Sequence, residues 1–144
     1  MSTINQVLDR KGGEIFTVSP SDSVYDAVKH MAENSIGTVL VLDGKKIAGI
    51  MSERDFTRKV VVTGRCGEDL TVADIMTRNV IFAKPDSPVD ECLQLMTDER
   101  IRHLPVLNGD EIIGVLSMGD LVKYKLGEQD AMIRHYEKYI YEGY

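Results

Sequence analysis

The feature that most constrains the fold of this 144-residue chain is an internal repeat. When the sequence is shifted by 65 positions, residues 15–60 match residues 80–125 without a gap. The matched pairs include Pro20 with Pro85, Gly49 with Gly114, Ser52 with Ser117 and Asp55 with Asp120. The preceding segments TINQVL and TVADIM also match if about three residues around Lys11-Gly12-Gly13 are extra in the first copy. A match of this length predicts two copies of one structural unit.

Each copy has the pattern of a β-α-β-β-α unit. A short extended segment closed by proline precedes a helix with apolar residues at helical spacing, which Ser23 can cap in the first copy. Asp43-Gly44 and Asn108-Gly109 predict hairpin turns, and a second helix begins after Ser52 or Ser117. One such unit is too small to bury both faces of its sheet. We therefore expect an α+β fold in which two units pack sheet to sheet as a pseudo-twofold pair.

The repeat also predicts the domain boundaries. The first unit covers residues 3–62, a linker covers 63–70, the second unit covers 71–126 and a tail covers 127–144. Apolar residues at helical spacing predict an amphipathic helix in the tail. These residues are Met132, Ile133, Tyr136, Tyr139 and Ile140. The pattern leaves two roles open for this helix, a cap on the core or a dimer contact.

Composition and charge narrow the function classes. A net charge of −6 and a pI of about 5.0 argue against DNA binding, which requires an excess of Lys and Arg. We expect neither a signal peptide nor a membrane span, because no apolar run is long enough. Cys66 and Cys92 are the only cysteines, which fits a cytoplasmic protein with Cys92 buried as a small apolar residue and Cys66 in a loop.

The most informative polar pattern is Ser-x-x-Asp, which begins the second helix of each copy at Ser52–Asp55 and Ser117–Asp120. Free N–H groups at a helix start attract a phosphate. An ionised carboxylate only accepts hydrogen bonds, so it suits the paired hydroxyls of a ribose. The same pattern also caps helices, but its recurrence at equivalent positions favours a ligand-binding role.

Other kinds of chemistry have weaker support. The three histidines share no metal-type spacing with each other or with the cysteines, so we expect no metal site. Ser52, His103 and Asp55 could form a hydrolase trio, but no nucleophile-elbow sequence accompanies them. We therefore expect that the protein is not an enzyme and needs no catalytic cofactor.

Several of these segments together resemble a known family. TVADIMT and IRHLPVLNGDEIIGVLSMGDL are similar to the signature segments of cystathionine-β-synthase (CBS) domains, and IGTVLVLDGKKIAGIMSERDF is a match that lacks the proline. The first copy opens with TINQVLDRKGG where the second has the D-I-M-T form. The resemblance covers about residues 3–125 and identifies the chain as a tandem CBS pair. It implies adenosine-type ligands in two clefts between the copies and, commonly, a homodimer.

The resemblance also implies two sets of site residues, each combining the Ser-x-x-Asp of one copy with strand segments of the other. Site A would comprise Ser52, Arg54, Asp55, Asn79, Ile81, Ile101, Arg102 and His103. Site B would comprise Phe16, Thr17, Ile36, Gly37, Thr38, Ser117 and Asp120. Arg54, Arg102 and His103 make site A the more cationic, so we expect it to bind phosphate-bearing ligands more tightly.

The expected function is a stand-alone regulatory module that senses AMP, ADP, ATP or NAD(H). The regulated partner is not named by the sequence. Three alternatives stay open: an interaction scaffold with vestigial sites, a nucleotide-processing enzyme, and a binder of single-stranded RNA or an S-adenosyl compound.

Overall fold

The computed structural model describes residues 1–12, 14–65 and 68–142, which form two compact units. The central unit is Glu14–Ile81, and the terminal unit combines residues 1–12 with residues 82–142. Four features expected from the sequence reach beyond the described residues, namely the insertion at Gly13, the linker at residues 66–67, the loop thiol of Cys66, and the tail at residues 143–144.

The helices and strands follow the predicted order in each repeat, and the α+β class is confirmed. In chain order they are α1 (Ile4–Lys11), β1 (Thr17–Val18), α2 (Val24–Glu33), β2 (Thr38–Asp43), β3 (Lys46–Ser52), α3 (Glu53–Phe56), α4 (Val72–Ile75), α5 (Val89–Glu99), β4 (His103–Asn108), β5 (Glu111–Ser117) and α6 (Met118–Glu142). A π-helical turn, Thr57–Val61, continues α3.

Both predicted hairpins are present. Strands β2 and β3 pair antiparallel in the central unit, as do β4 and β5 in the terminal unit. The turns contain Gly44 at φ +65° and Gly109 at φ +64°. Glycine adopts these left-handed values without the steric cost of a Cβ atom, which is why Asp-Gly and Asn-Gly predicted the turns correctly.

The first strand differs between the two units. In the central unit β1 pairs parallel with β2, so the sheet has three strands in the order β1-β2-β3. In the terminal unit the equivalent segment makes a single parallel bridge, from Ala83 to Val106. Pro105 explains the difference, because it occupies the position of Leu40, whose N–H donates to the Phe16 carbonyl at 3.3 Å. Proline has no N–H to donate, so the ladder is shorter.

The first helix of each repeat buries the predicted apolar face but begins differently. Ser23 caps α2 as expected, since its Oγ accepts a hydrogen bond from the Asp26 N–H at 3.0 Å. Pro88 stands at the start of α5 and has no hydroxyl for this role. Cys92 of α5 is buried, as expected, and burial raises the pKa of its thiol. The buried residues are Val24, Ala27 and Met31 of α2, and Val89, Cys92 and Met96 of α5.

The helix that precedes each repeat, here called its lead-in helix, packs beside the short extended segment with which the other repeat begins. Helix α1 precedes the first repeat but belongs to the terminal unit, whereas α4 precedes the second repeat and belongs to the central unit. In the terminal unit the N–H groups of Ile4, Asn5 and Val89 donate to the carbonyls of Ser87, Pro85 and Ser2 at 2.9, 2.8 and 2.9 Å. In the central unit the N–H groups of Val72, Ala73 and Val24 donate to the carbonyls of Asp22, Pro20 and Leu70, respectively, at 2.8, 3.0 and 2.9 Å.

Equivalent acceptors in the repeats are 65 positions apart, as Pro20 and Pro85 are. Equivalent donors in the lead-in helices are 68 positions apart, as Ile4 and Val72 are. The difference confirms the three extra residues expected in the first copy. The sequence repeats therefore do not coincide with the compact units, because each unit contains one repeat together with the lead-in helix of the other.

Two glycines allow each lead-in to approach its sheet closely. A Cβ atom on Gly49 of β3 would lie 2.7 Å from the carbonyl oxygen of Thr77. A Cβ on Gly114 of β5 would lie 2.4 Å from Cδ2 of Leu8. Both distances are shorter than real Cβ contacts, so a larger residue at Gly49 would meet a backbone oxygen, whereas one at Gly114 would displace the end of the Leu8 side chain.

The end of the second repeat and the tail form one continuous helix of 25 residues, α6. Leu121 in its first turns is fully buried. Met132, Ile133, Tyr136 and Ile140 are each 55–58% exposed, so this part of α6 does not cap the core of the described residues. The side chain of Tyr139, also expected on this face, lies outside the described part of the chain.

Candidate functional site

The central turn, Ser52–Asp55, forms a reciprocal capping box at the start of α3. The Ser52 Oγ accepts a hydrogen bond from the Asp55 N–H at 3.2 Å, and Asp55 Oδ2 accepts one from the Ser52 N–H at 2.9 Å. The Ser52 hydroxyl also donates to Oδ2 at 3.2 Å. This side chain to backbone exchange satisfies two of the free N–H groups at the helix start. It fixes the Asp55 carboxylate beside the serine hydroxyl.

The second oxygen of Asp55 is held by the lead-in segment and by the helix itself. Its Oδ1 accepts a hydrogen bond from the Thr77 hydroxyl at 3.2 Å and lies 3.1 Å from Lys59 Nζ. Lys59 also donates to the carbonyl of Ile75 at 2.7 Å. The Asp55 side chain is 13% exposed, and its contacts with Ser52, Thr77 and Lys59 fix its position.

Other predicted residues of the central unit lie close to this turn. The Glu53 N–H donates to the carbonyl of Gly37 at 3.0 Å, and Thr38 is the strand partner of Ser52. Phe16 and Ile36 pack against the apolar core of this unit. The remaining predicted residues of this unit are half-buried Ile81 and exposed Thr17, Arg54 and Asn79.

The terminal turn, Ser117–Asp120, repeats this exchange at the start of α6. Asp120 Oδ2 accepts a hydrogen bond from the Ser117 N–H at 2.8 Å, and Ser117 Oγ accepts one from the Asp120 N–H at 3.0 Å. Lys11, at the end of α1, donates to the same Oδ2 at 2.7 Å and to the carbonyl of Val115 at 2.8 Å. The Asp120 side chain is 27% exposed, about twice as much as that of Asp55.

These contacts determine the charge state of Asp120. Partial burial alone would raise its pKa, but the hydrogen bonds from Lys11 and from the Ser117 backbone outweigh that effect. The pKa of the Asp120 carboxyl therefore lies below its ordinary value, and the group is an anion at neutral pH.

A cavity of about 430 Å³ opens beside the terminal turn. Its lining residues are Val7, Arg10, Lys11, Asp120, Lys123, Tyr124 and Gly127. Arg10, Lys11 and Lys123 carry positive charge against the single carboxylate of Asp120. The Arg10 guanidinium lies over the ring of Tyr124, 4.8 Å from its centre, which orients one of these cations.

The predicted residues on β4 lie beside the terminal turn. The Met118 N–H donates to the carbonyl of Arg102 at 2.8 Å, and His103 is the strand partner of Ser117. Ile101, just before them, donates its N–H to the Met96 carbonyl at 3.0 Å. Within each unit, therefore, the start of the middle strand adjoins the Ser-x-x-Asp of its own repeat.

Sequence reasoning missed the residues that hold the two carboxylates. These are Lys59 and Thr77 for Asp55, and Lys11 for Asp120. It also missed Arg10, Lys123 and Tyr124, which line the cavity beside Asp120. A signal for Lys11 was present, because extending the lead-in match by three residues aligns Asp9-Arg10-Lys11 with Thr77-Arg78-Asn79. Arg10, Lys11 and Lys123 are not among the residues assigned to site B, so the expectation that site A is the more cationic leaves them out.

Neither a membrane span nor a metal cluster is found among the described residues. None of their helices is both long enough and apolar enough to span a membrane. Within the same ranges, no group of three or more His, Cys, Asp or Glu side chains could hold a metal ion.

Comparison with known proteins identifies the repeat. The family model of the CBS domain matches residues 6–62 and again residues 72–127. The chain is 38% identical to "CBS domain-containing protein CBSX3, mitochondrial" of Arabidopsis thaliana over 99% of its own length and 74% of that protein. A solved structure of a CBS-domain protein from Burkholderia ambifaria is 48% identical, with a TM-score of 0.85 over 89% of this chain and 96% of that one.

A further solved structure contains ligands. The CBS domain pair of protein MJ0100, in complex with 5′-methylthioadenosine and S-adenosyl-L-methionine, is 25% identical, with a TM-score of 0.78 over 89% of this chain and 98% of that one. The two family matches, together with these relatives, show that the chain belongs to the CBS-domain family as a tandem pair.

Proposed function

We propose that this protein is a non-catalytic regulatory module that binds an adenine nucleotide, AMP, ADP, ATP or NAD(H), at its Ser-x-x-Asp turns. Proteins built on CBS pairs are regulatory modules, which is the setting for the proposal. The observation that carries it is the recurrence, in both units, of an ordered carboxylate beside a serine hydroxyl and a lysine.

The carboxylates supply the chemistry for a ribose. An ionised carboxylate has about four acceptor positions and no donor, so it pairs with the two hydroxyls of a ribose. The contacts of Asp120 with Ser117 and Lys11 all fall on Oδ2, which leaves Oδ1 to accept hydrogen bonds from a ligand. At Asp55 the hydroxyls would instead replace the contacts made by Thr77 and Lys59.

The cavity beside the terminal turn supplies the chemistry for phosphates. Its volume lies within the range of about 300–1,000 Å³ that is usual for small-molecule sites. Arg10, Lys11 and Lys123 outnumber the one carboxylate, so the cavity favours an anion. We therefore propose that the terminal turn binds phosphate-bearing nucleotides at least as tightly as the central turn does, the reverse of the ranking expected from the repeat positions.

The ligand-bound relative supports the adenosine part of the proposal. The MJ0100 pair binds two adenosine derivatives, and neither of them has a phosphate. We infer that an adenosine moiety is the shared element and that the cations around Asp120 add a preference for phosphate. A ligand of this kind regulates a partner only if it binds one arrangement of the protein more tightly than another. The regulated partner is a second protein, and we propose that the chain itself forms a homodimer.

Calorimetric titration of the purified, nucleotide-stripped protein with AMP, ATP and NADH tests the proposal. Asp120→Asn and Asp55→Asn keep the size and one acceptor oxygen of each side chain but remove its charge. Asp74→Asn is the matched control, because Asp74 forms the same capping box with Thr71, at 2.9 Å, at the start of α4. We expect about a tenfold loss of ATP affinity at one or both turns, and none in the control. Folded protein that binds none of the three ligands would contradict the proposal.

An interaction scaffold with vestigial sites is the second candidate. The observation in its favour is that Thr77, Lys59 and Ser52 already contact both oxygens of Asp55. Absence of nucleotide binding, together with a partner protein that binds equally well to the Asp120→Asn variant, would favour the scaffold. Conversion of ATP or NAD⁺ into a new product on chromatography would instead indicate an enzyme.

A further inference from the structure

The cavity beside the terminal turn continues along helix α6, beyond the carboxylate that would hold a ribose. The α6 residues that line it, Asp120, Lys123, Tyr124 and Gly127, share one face of the helix. Gly127 lies two helical turns beyond Asp120, about 10 Å along the axis. The cavity therefore has a near end at Asp120 and a far end at Gly127, and a ribose bound at Asp120 fills only the near end.

The positive charges of the cavity are spread along this length. Lys11 lies at the near end, where it donates to Oδ2 of Asp120 at 2.7 Å. Lys123 follows about one helical turn beyond Asp120. The Arg10 guanidinium marks the far end, since its Nη1 lies 3.7 Å from where a Cβ atom on Gly127 would be. The cations thus continue past the place of a ribose and its first phosphate.

Packing does not explain the glycine at the far end. A Cβ atom on Gly49 would lie 2.7 Å from a carbonyl oxygen, but one on Gly127 would make only an ordinary contact, at 3.7 Å. Gly127 also lies within a regular helix, where alanine is strongly preferred to glycine. What the glycine provides is open space at the far end of the cavity, beside the Arg10 guanidinium.

We infer that the far end of the cavity holds the β- and γ-phosphates of a nucleoside triphosphate whose ribose is bound at Asp120. This rests on the proposed function and names the ligand class of the terminal turn. The α-phosphate is joined directly to the ribose, so it lies near Lys11 and Lys123, and only a longer phosphate chain reaches Arg10. The planar fork of donors on Arg10 matches the oxygens of a terminal phosphate. The cavity therefore selects ATP over AMP, and over NADH, whose second phosphate is joined to another nucleoside.

The central turn differs at both residues that define the far end. A shift of 65 positions places Val62 opposite Gly127, so a branched side chain stands where the terminal unit has none. The lead-in match places Arg78 opposite Arg10, but Arg78 donates to the carbonyl of Ala73 in its own lead-in helix, at 3.3 Å. We therefore expect the preference for a triphosphate to belong to the terminal turn.

Calorimetric titration in an Asp55→Asn background, which leaves the terminal turn as the ribose site, tests this inference. Gly127→Ala and Gly127→Leu fill the far end progressively, and Arg10→Met removes its cation. We expect the parent to bind ATP about tenfold more tightly than AMP or NADH. Gly127→Leu and Arg10→Met should each lower the affinity for ATP about tenfold and that for AMP much less. Ala131→Leu, at an exposed position of the same helix, is the matched control and should change neither affinity.

Gly127→Ala separates lost binding from lost folding. Alanine favours a helix more than glycine does, so this variant should unfold at or above the temperature of its parent and still bind ATP less tightly. A parent that binds AMP as tightly as ATP, or a preference for ATP that persists in both Gly127→Leu and Arg10→Met, would overturn the inference and keep the proposed function. Wild-type protein that binds neither nucleotide would reject the proposed function and the inference together.

Discussion

The central turn and the terminal turn have the same capping box, but different parts of the chain stabilise their carboxylates. Asp55 is held by Thr77 from the lead-in segment and by Lys59 one helical turn ahead. Asp120 is held by Lys11, whose lead-in helix is 109 residues away in sequence, and it faces a cationic cavity. The two copies therefore share the backbone of the turn and differ in the side chains that surround its carboxylate.

The largest expected difference between the two units concerns packing. Gly49→Ala would put a methyl group 2.7 Å from a backbone carbonyl oxygen, whereas Gly114→Ala would put one 2.4 Å from the end of the Leu8 side chain. A leucine methyl can move and a carbonyl held in the lead-in cannot. We expect Gly49→Ala to lower the free energy of unfolding by about 2–3 kcal/mol and Gly114→Ala by about 1 kcal/mol. Urea denaturation measures both, and a larger loss in Gly114→Ala would reverse the comparison.

The next effect is on ligand affinity. Lys11→Met removes the cation that contacts Asp120 and lines the cavity, so we expect about a tenfold weaker affinity for ATP. Lys59→Met should weaken it less, because Lys59 contacts Asp55 outside that cavity. Lys29→Met, on an exposed face of α2, makes the same change in net charge and serves as the control. Equal losses in all three variants would show that only net charge matters.

A smaller effect compares the starts of the first helices. Ser23→Ala removes the hydroxyl that caps α2, and we expect a loss of about 1 kcal/mol in the free energy of unfolding. Pro88→Ala, at the equivalent position of α5, should cost much less because that helix has no side-chain cap. Thermal or urea unfolding of the two variants tests this, and equal costs would mean that the cap at Ser23 contributes nothing specific.

The smallest expected effect is a pH dependence of stability that arises from Asp120 in the terminal turn. The pKa of Asp120 is lowered in the folded chain, so its contribution to stability is present above the unfolded pKa and is lost as the pH falls through the folded value. We expect the stability difference between the wild-type protein and Asp120→Asn to shrink as the pH is lowered below about 4. A difference that stays constant down to pH 2 would mean that the Lys11 contact does not stabilise the charged form.

Much of the fold was predictable because its signals are local. The Asp-Gly and Asn-Gly turns, the Ser23 cap and the spacing of apolar residues each depend on a few neighbouring residues, and the structure shows all of them. Because the two copies match without a gap, the elements of the second copy could be predicted from those of the first. The two capping boxes were also predictable, since Ser-x-x-Asp is itself a local pattern.

The features that could not be predicted depend on contacts between distant segments. The exchange of lead-in helices between the compact units is set by backbone hydrogen bonds such as Asn5 to Pro85. Lys11 reaches Asp120 only because of that exchange. Helix α6 runs through Gly127 because helical contacts on both sides outweigh the local cost of a glycine, which is about 1 kcal/mol.

The most direct test of nucleotide binding at these turns is a crystal structure of the protein grown with saturating ATP. We predict ribose hydroxyls within about 3 Å of the Asp120 carboxylate and phosphate oxygens on Arg10, Lys11 or Lys123. Nucleotide bound to neither Ser-x-x-Asp turn, or no bound nucleotide at saturation, would contradict the proposed function.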